Sequence, residues 1–253
     1  MGKVIADLAA SAASATLSVE NATSSVNYVL SKTDGSAGEF LKTDGSGALS
    51  FASAAGGFHR VVVKTASDAT YSPDTGVTKI VVEGVGGGGG GGNTTVSTGC
   101  AGPGGGGYFM KKLDVTSSYV INVQIGAGGT TGAAGGNGGD TTVTYVSGGV
   151  SFSTLTAGGG DYGQVNSAAD GGAGGTATNG DLNIQGGNGG MPAGGAYDAR
   201  GGSSMFGFGG EHGQGNPGSR SGTGYGSAPS GGTQNSGTGK AGQPGLVVIW
   251  EYK

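Results

Sequence analysis

Three stretches of this chain advance in Gly-Gly-X triplets. They are Gly135-Gly136-Asn137 then Gly138-Gly139-Asp140, Gly171-Gly172-Ala173 then Gly174-Gly175-Thr176, and Gly186-Gly187-Asn188 then Gly189-Gly190-Met191. A three-residue period matches the extended left-handed helix of the polyproline II type, which has three residues per turn and no internal hydrogen bonds. Helices without side chains can pack closely and satisfy one another's N–H and C=O groups, which are costly if buried unpaired. The competing outcome is disorder. Of 253 residues 64 are glycine and 6 proline, a composition at which low-complexity coil becomes the default. Ordering glycine also costs more backbone entropy than ordering any other residue. Collagen is excluded, because it needs glycine at every third place and far more proline.

From Phe58 onward, β-branched runs bracket the glycine. Arg60-Val61-Val62-Val63-Lys64, the run 77–83, the run 118–125, Thr141-Thr142-Val143-Thr144-Tyr145-Val146 and the run 246–252 read as strands. In the third, Tyr119, Ile121, Val123 and Ile125 alternate with polar residues, Val120 excepted, which suits a half-buried strand. The first and last strands are expected to pair and to close a small sandwich. Three insertions, 86–107, 126–140 and 157–245, are expected to emerge from one end. The fold class is therefore mostly β: a small β-sandwich with glycine-rich, polyglycine-II-type insertions.

Two segments precede it. In residues 1–27, Val4, Ile5, Leu8, Ala9 and Ala12 fall at helical spacing and predict a short, weakly amphipathic N-terminal helix. Such a helix gains stability mainly by docking onto a partner. Asp7 interrupts the apolar run early, so a removable signal is not expected. Residues 28–57 hold a repeat: Lys32-Thr33-Asp34-Gly35-Ser36 recurs as Lys42-Thr43-Asp44-Gly45-Ser46. Asp-Gly between apolar residues is a tight-turn signal, so a strand-and-turn stalk is expected. It is too small to bury its own apolar faces, a problem that wrapping around sister chains on a threefold axis would solve. The expected domains are 1–27, 28–57 and 58–253.

Charged residues make up 11 % and the net charge is −4. No basic cluster occurs, and 113–199 contains no Lys or Arg at all, so gripping of nucleic acid or of an anionic membrane is not expected. No stretch approaches 18 apolar residues, so no membrane insertion is expected. Cys100 is alone, and the two histidines, His59 and His212, are far apart, so neither a disulfide, a metal knuckle nor a nucleophilic triad is built. Gly-x-Gly-x-x-Gly recurs by composition, and Gly239-Lys240-Ala241 has Ala where a phosphate loop needs Ser/Thr. The 135–140 stretch fits a calcium nonapeptide only once, where tandem copies are required. Asp161, Asp170, Asp181 and Asp198 read as turn residues beside glycine. No catalysis, cofactor or metal is expected.

The informative side chains of the glycine region cluster between 197 and 225: Tyr197, Arg200, Met205, Phe206, Phe208, His212, Arg220 and Tyr225. Rings on glycine-rich turns suit recognition, by stacking on sugars or filling a partner's pockets. Equally, they suit plugging gaps between glycine helices or between subunits. Tyr197, Arg200, Phe206, Phe208, His212, Arg220 and Tyr225 are the candidate binding residues.

The run Val81-Val82-Glu83-Gly84-Val85 followed by glycine at 86–92, then Gly104-Gly105-Gly106-Gly107-Tyr108-Phe109, resembles the glycine-rich domain of bacteriophage tail-fibre proteins. So do Tyr119-Val120-Ile121-Asn122-Val123-Gln124-Ile125-Gly126-Ala127-Gly128-Gly129 and the terminal Gly245-Leu246-Val247-Val248-Ile249-Trp250-Glu251-Tyr252. The likeness covers about 58–253, and Leu41-Lys42-Thr43-Asp44-Gly45-Ser46 also looks like phage fibre stalk sequence. A more distant likeness is to the glycine-rich tip adhesins of T-even-type phages. The resemblance implies an extracellularly exposed virion protein, a homotrimer attached to other virion proteins through 1–27. Its head would bind a bacterial surface glycan or outer-membrane receptor without covalent chemistry. The alternative is a capsid, baseplate or fibre scaffold protein without receptor contact. No individual receptor-contact residue carries over from the likeness.

Overall fold

The computed structural model describes residues 4–7, 16–21, 24–29, 36, 39–46, 48–53, 57–93, 99–133, 135–164, 170–192, 199–211, 219–232 and 238–253. The described residues are all β, with no helix among them. The chain divides into two compact units, Met1–Gly57 and Phe58–Lys253.

In the first unit, β1 (Val4–Asp7), β2 (Thr16–Asn21) and β3 (Ser24–Val29) form one antiparallel sheet in that order. This corrects the expected N-terminal helix: Val4 and Ile5 pair with Val19 and Ser18 of a neighbouring strand. Leu8, Ala9 and Ala12 lie outside the described residues. β-Branched residues resist helix, and Leu17 and Val19 alternate with polar neighbours at the period of a strand. A hairpin follows, β4 (Glu39–Thr43) against β5 (Leu49–Ser53). Its turn is the second copy of the repeat. Asp44 Oδ1 accepts from the amides of Ser46 (2.7 Å) and Ala48 (3.1 Å), and Gly45 takes the left-handed φ of +83° that the turn requires. The first copy lies outside the described residues except for Ser36.

The second unit contains two five-stranded antiparallel sheets. One comprises β6 (Phe58–Lys64), β8 (Lys79–Val85), β9 (Tyr108–Asp114), β14 (Leu182–Ile184) and β17 (Leu246–Tyr252), in the order β14-β9-β8-β17-β6. The other comprises β7 (Asp68–Tyr71), β10 (Val120–Gln124), β11 (Thr141–Ser147), β12 (Leu155–Ala157) and β13 (Ala177–Thr178), in the order β13-β12-β11-β10-β7. The first and last strands pair over Val247↔Lys64 to Tyr252↔Phe58, as their β-branched runs predict. Val120, the exception to the alternation, sits where the β10–β11 register shifts. Ile80, Val82, Phe109, Val247 and Ile249 of the first sheet share one buried cluster with Ile121, Val123, Val143 and Leu155 of the second.

The third insertion is not purely glycine. It sends β13 back to one sheet and β14 to the other, and Asp181 between them accepts from Lys111 Nζ (3.0 Å) and the Lys112 amide (2.9 Å).

Beyond the sheets the glycine runs form a lattice held by the main chain. Six consecutive amides, 86–91, reach three different neighbours in rotation. Gly86 and Gly89 donate to Gly107 and Gly104, Gly87 and Gly90 to Gly139 and Gly136, and Gly88 and Gly91 to Gln243 and Lys240, all at 2.8–3.0 Å. Each step of three along the donor is a step of three back along the acceptor, as expected for antiparallel threefold helices. A second row, 100–107, behaves alike. Ala101, Gly104 and Gly107 donate to Gln164, Asp161 and Gly158, and Gly102 and Gly105 to Gly190 and Gly187. On its third face Cys100 and Gly106 donate to Gly232 and Gly226, and between them stands Pro103, which has no N–H to give. Residues 86–92 and 99–107 are buried throughout. A Cβ at Gly89 would lie 2.1 Å from the Asp161 carbonyl oxygen, and one at Gly105 would lie 2.2 Å from that of Ser203. None of the glycines at 86–91 or 104–107 has a positive φ, which matches the left-handed extended helix. On the outer runs the X residues of the triplets face water: Asn137, Asp140, Ala173, Thr176 and Asn188 are exposed.

Candidate functional site

Two places in the second unit gather chemistry. The first is the end of the paired first and last strands, where Arg60 and Glu251 are cross-strand partners. Arg60 donates from Nε to Glu251 Oε2 (2.8 Å) and pairs with Asp74 Oδ1 through its terminal nitrogen (2.9 Å). The Tyr71 hydroxyl donates to Glu251 Oε1, and His59 Nε2 meets Asp74 Oδ2 at 3.0 Å. Glu251 is fully buried. The Glu251 carboxylate raises the Arg60 pKa further, and burial, then the Glu251 hydrogen bond, raise that of Tyr71. One ligand atom each from His59, Asp74 and Glu251 lie within 4.8 Å of one another. The cation of this cluster is already Arg60, bonded to both carboxylates, so the arrangement ties β6, the turn after β7 and β17 together. Sequence reasoning left His59 isolated; opposite charges near the ends of two strands predicted to pair were the available signal.

The second place is an open groove of about 570 Å³ lined by Arg200, Ser203, Phe208, Glu211, Arg220 and Thr223 among others. β15 (Gly207–Phe208) pairs antiparallel with β16 (Thr223–Gly224), which brings residues distant in sequence to one rim. The lattice pins the backbone beneath: the Gly190 amide donates to the Arg200 carbonyl and the Ser230 amide to that of Arg220, both at 2.8 Å. The Arg220 amide in turn donates to Ser230 Oγ (2.8 Å). Phe208 is 78 % exposed, and Arg200 approaches Glu211 at 3.5 Å with both side chains mostly in water.

The candidate binding residues thus separate. Arg200, Phe208 and Arg220 come together at the groove. Phe206 and Tyr225 pack inward against the buried Val85, Leu246 and Val248, with the Phe206 ring edge-on to Tyr108 at 5.8 Å. Tyr197 and His212 lie outside the described residues. The gap-filling reading therefore describes Phe206 and Tyr225, whereas the Phe208 ring stands in solvent. Glu211 was missed, because a lone acid in a glycine run carries no pattern.

Sheets with a shared core, continued at one end by a side-chain-poor hydrogen-bonded lattice, define a class in which glycine itself is the framework residue. Residues 63–252 match the family model of a glycine-rich domain, and the chain belongs to that family. No curated protein matches the chain.

Proposed function

We propose that this is a virion fibre or fibre-tip protein of a tailed bacteriophage, which attaches to a host cell surface by non-covalent binding. In this reading the sheets form a small sandwich that carries the lattice, and residues 58–253 are the receptor-binding head. Residues 1–27 anchor it to other virion proteins, and 28–57 form a short stalk in a homotrimer. The observation that carries the proposal is the groove itself. Exposed Arg200, Phe208 and Arg220 stand on a backbone fixed by lattice hydrogen bonds, and a preorganised rim loses little entropy on binding. The resemblance to phage fibre sequences adds the cell-surface context.

A second reading, a scaffold that only packs against neighbours in the particle, draws on the inward packing of Phe206 and Tyr225. Adsorption of the labelled full chain to host cells separates the two. Deleting the whole 197–225 segment would also remove Phe206 and Tyr225 from their packing, so the discriminating variant is Phe208→Ala. Receptor binding predicts that Phe208→Ala abolishes adsorption without changing the melting temperature. Adsorption equal to that of the unmodified chain overturns the assignment.

A further inference from the structure

The chain has three arginines, Arg60, Arg200 and Arg220. The first is committed to Glu251 and Asp74. The other two line the same groove although twenty residues separate them. In a protein of net charge −4 with no Lys or Arg across 113–199, this gathers two of the three guanidinium groups in one groove, whose lining holds a single acid, Glu211. Arginine presents a planar fork of donors that matches a carboxylate or phosphate in bidentate fashion. Glu211 already places such a carboxylate against Arg200, at 3.5 Å on the open side, a pairing that contributes little between exposed side chains and yields readily to a competitor. Among the described residues no carboxylate forms an ion pair with Arg220.

The remaining lining has the character of a sugar site. Phe208 offers an exposed ring face, and Ser203 and Thr223 supply hydroxyls. The volume, about 570 Å³, lies within the range of small-ligand pockets. We propose that the groove binds an anionic saccharide, a sugar unit bearing a carboxylate or phosphate. Arg200 and Arg220 grip the anion, Phe208 stacks on the ring, and Glu211 acts as an internal competitor displaced on binding. This rests on the receptor-binding reading above and specifies its ligand as a charged glycan rather than a neutral glycan or a protein loop.

The test uses the full chain and three probes: an oligogalacturonate, the same oligosaccharide with its carboxyl groups reduced to alcohols, and a hexose-phosphate oligosaccharide. The expected result is binding to one or both anionic probes and none to the reduced one. Arg200→Gln and Arg220→Gln each weaken it about tenfold, the corresponding Lys variants lose less, and Glu211→Gln strengthens it about threefold. The stronger of the two anionic probes identifies the charged group. Arg200, Glu211 and Arg220 are all exposed, and an unchanged melting temperature confirms the fold of each variant. Equal binding of the reduced probe, or affinity indifferent to both arginines, overturns the proposal. If Phe208→Ala abolishes adsorption to cells while neither anionic probe binds, the receptor-binding reading stands and the anionic-sugar inference falls. Competition of adsorption by a purified outer-membrane protein but by no glycan overturns it equally.

Discussion

Alanine at position 89 offers the sharpest test of how the glycine lattice is held. The added Cβ would lie 2.1 Å from the Asp161 carbonyl oxygen and 3.0 Å from that of Gly160. Relief requires the two runs to part by roughly 1 Å, since non-bonded carbon contacts settle well beyond 3 Å. The obstacle is backbone, not a side chain that can swing aside. The Asp161 carbonyl accepts from Gly104, the Asp161 amide donates to Ala173, the Gly160 amide to Gly87, and Gly89 itself donates to Gly104. A shift of that size unmakes at least two of these bonds among buried groups, at about 1–3 kcal/mol each. Overpacking strain adds to this, so the variant should lose about 3 kcal/mol or more. For a unit of this size that lowers the melting temperature by about 6–12 °C. The matched control is Gly132→Ala, where a Cβ meets nothing within 4 Å and φ is not positive. There the change should stay within about 1 kcal/mol, on the stabilising side, because alanine restricts the unfolded chain. Calorimetry of both variants decides the matter. A Gly89→Ala protein melting within about 2 °C of the parent would refute close main-chain packing as the reason for glycine.

Two further perturbations probe the sheets. Arg60→Met leaves the fully buried Glu251 without its cation, and should cost about 3 kcal/mol in chemical denaturation; an unchanged denaturation midpoint would show that Arg60 does not hold Glu251. At high pH, burial and then Glu83 push the Tyr108 phenol up to about 12, and burial likewise raises Tyr71 and Tyr119. A raised pKa means the folded state favours the neutral phenol, so its stabilisation is complete below the ordinary value near 10 and is lost as pH climbs from about 10 toward 12. Phenolate absorbance followed alongside circular dichroism should show these three tyrosines still neutral near pH 10 while the fold is intact; their ionisation near pH 10 with the fold intact would contradict it.

Much of the second unit was legible because its strands carry their own marks. The β-branched runs of β6, β8, β11 and β17 and the alternation in β10 name themselves, and the triplet period announces the lattice. The strands that escaped are those with mixed signals. In β9 the paired Lys111-Lys112 breaks the alternation, while β7 and β12 are four and three residues long. The N-terminal error has a physical source: Val4 and Ile5, which count toward a helical face by spacing, are β-branched and suit a strand as well. The groove was only half legible. Arg200, Phe208 and Arg220 stood out as side chains in a glycine region, but glycine runs carry no side chains to mark their register. Which of them would meet was therefore hidden. Phe206 and Phe208 looked equivalent, yet 205–206 form a turn, so one ring enters the core and the other faces water.

Amide hydrogen exchange tests the central claim most directly, because it reads the main-chain bonds one by one. If the lattice is as described, the amides of 86–91 and 104–107 are protected as strongly as those of β8 and β17. Exchange of these glycine amides at the rate of an unstructured peptide, with β8 and β17 still protected, would contradict it.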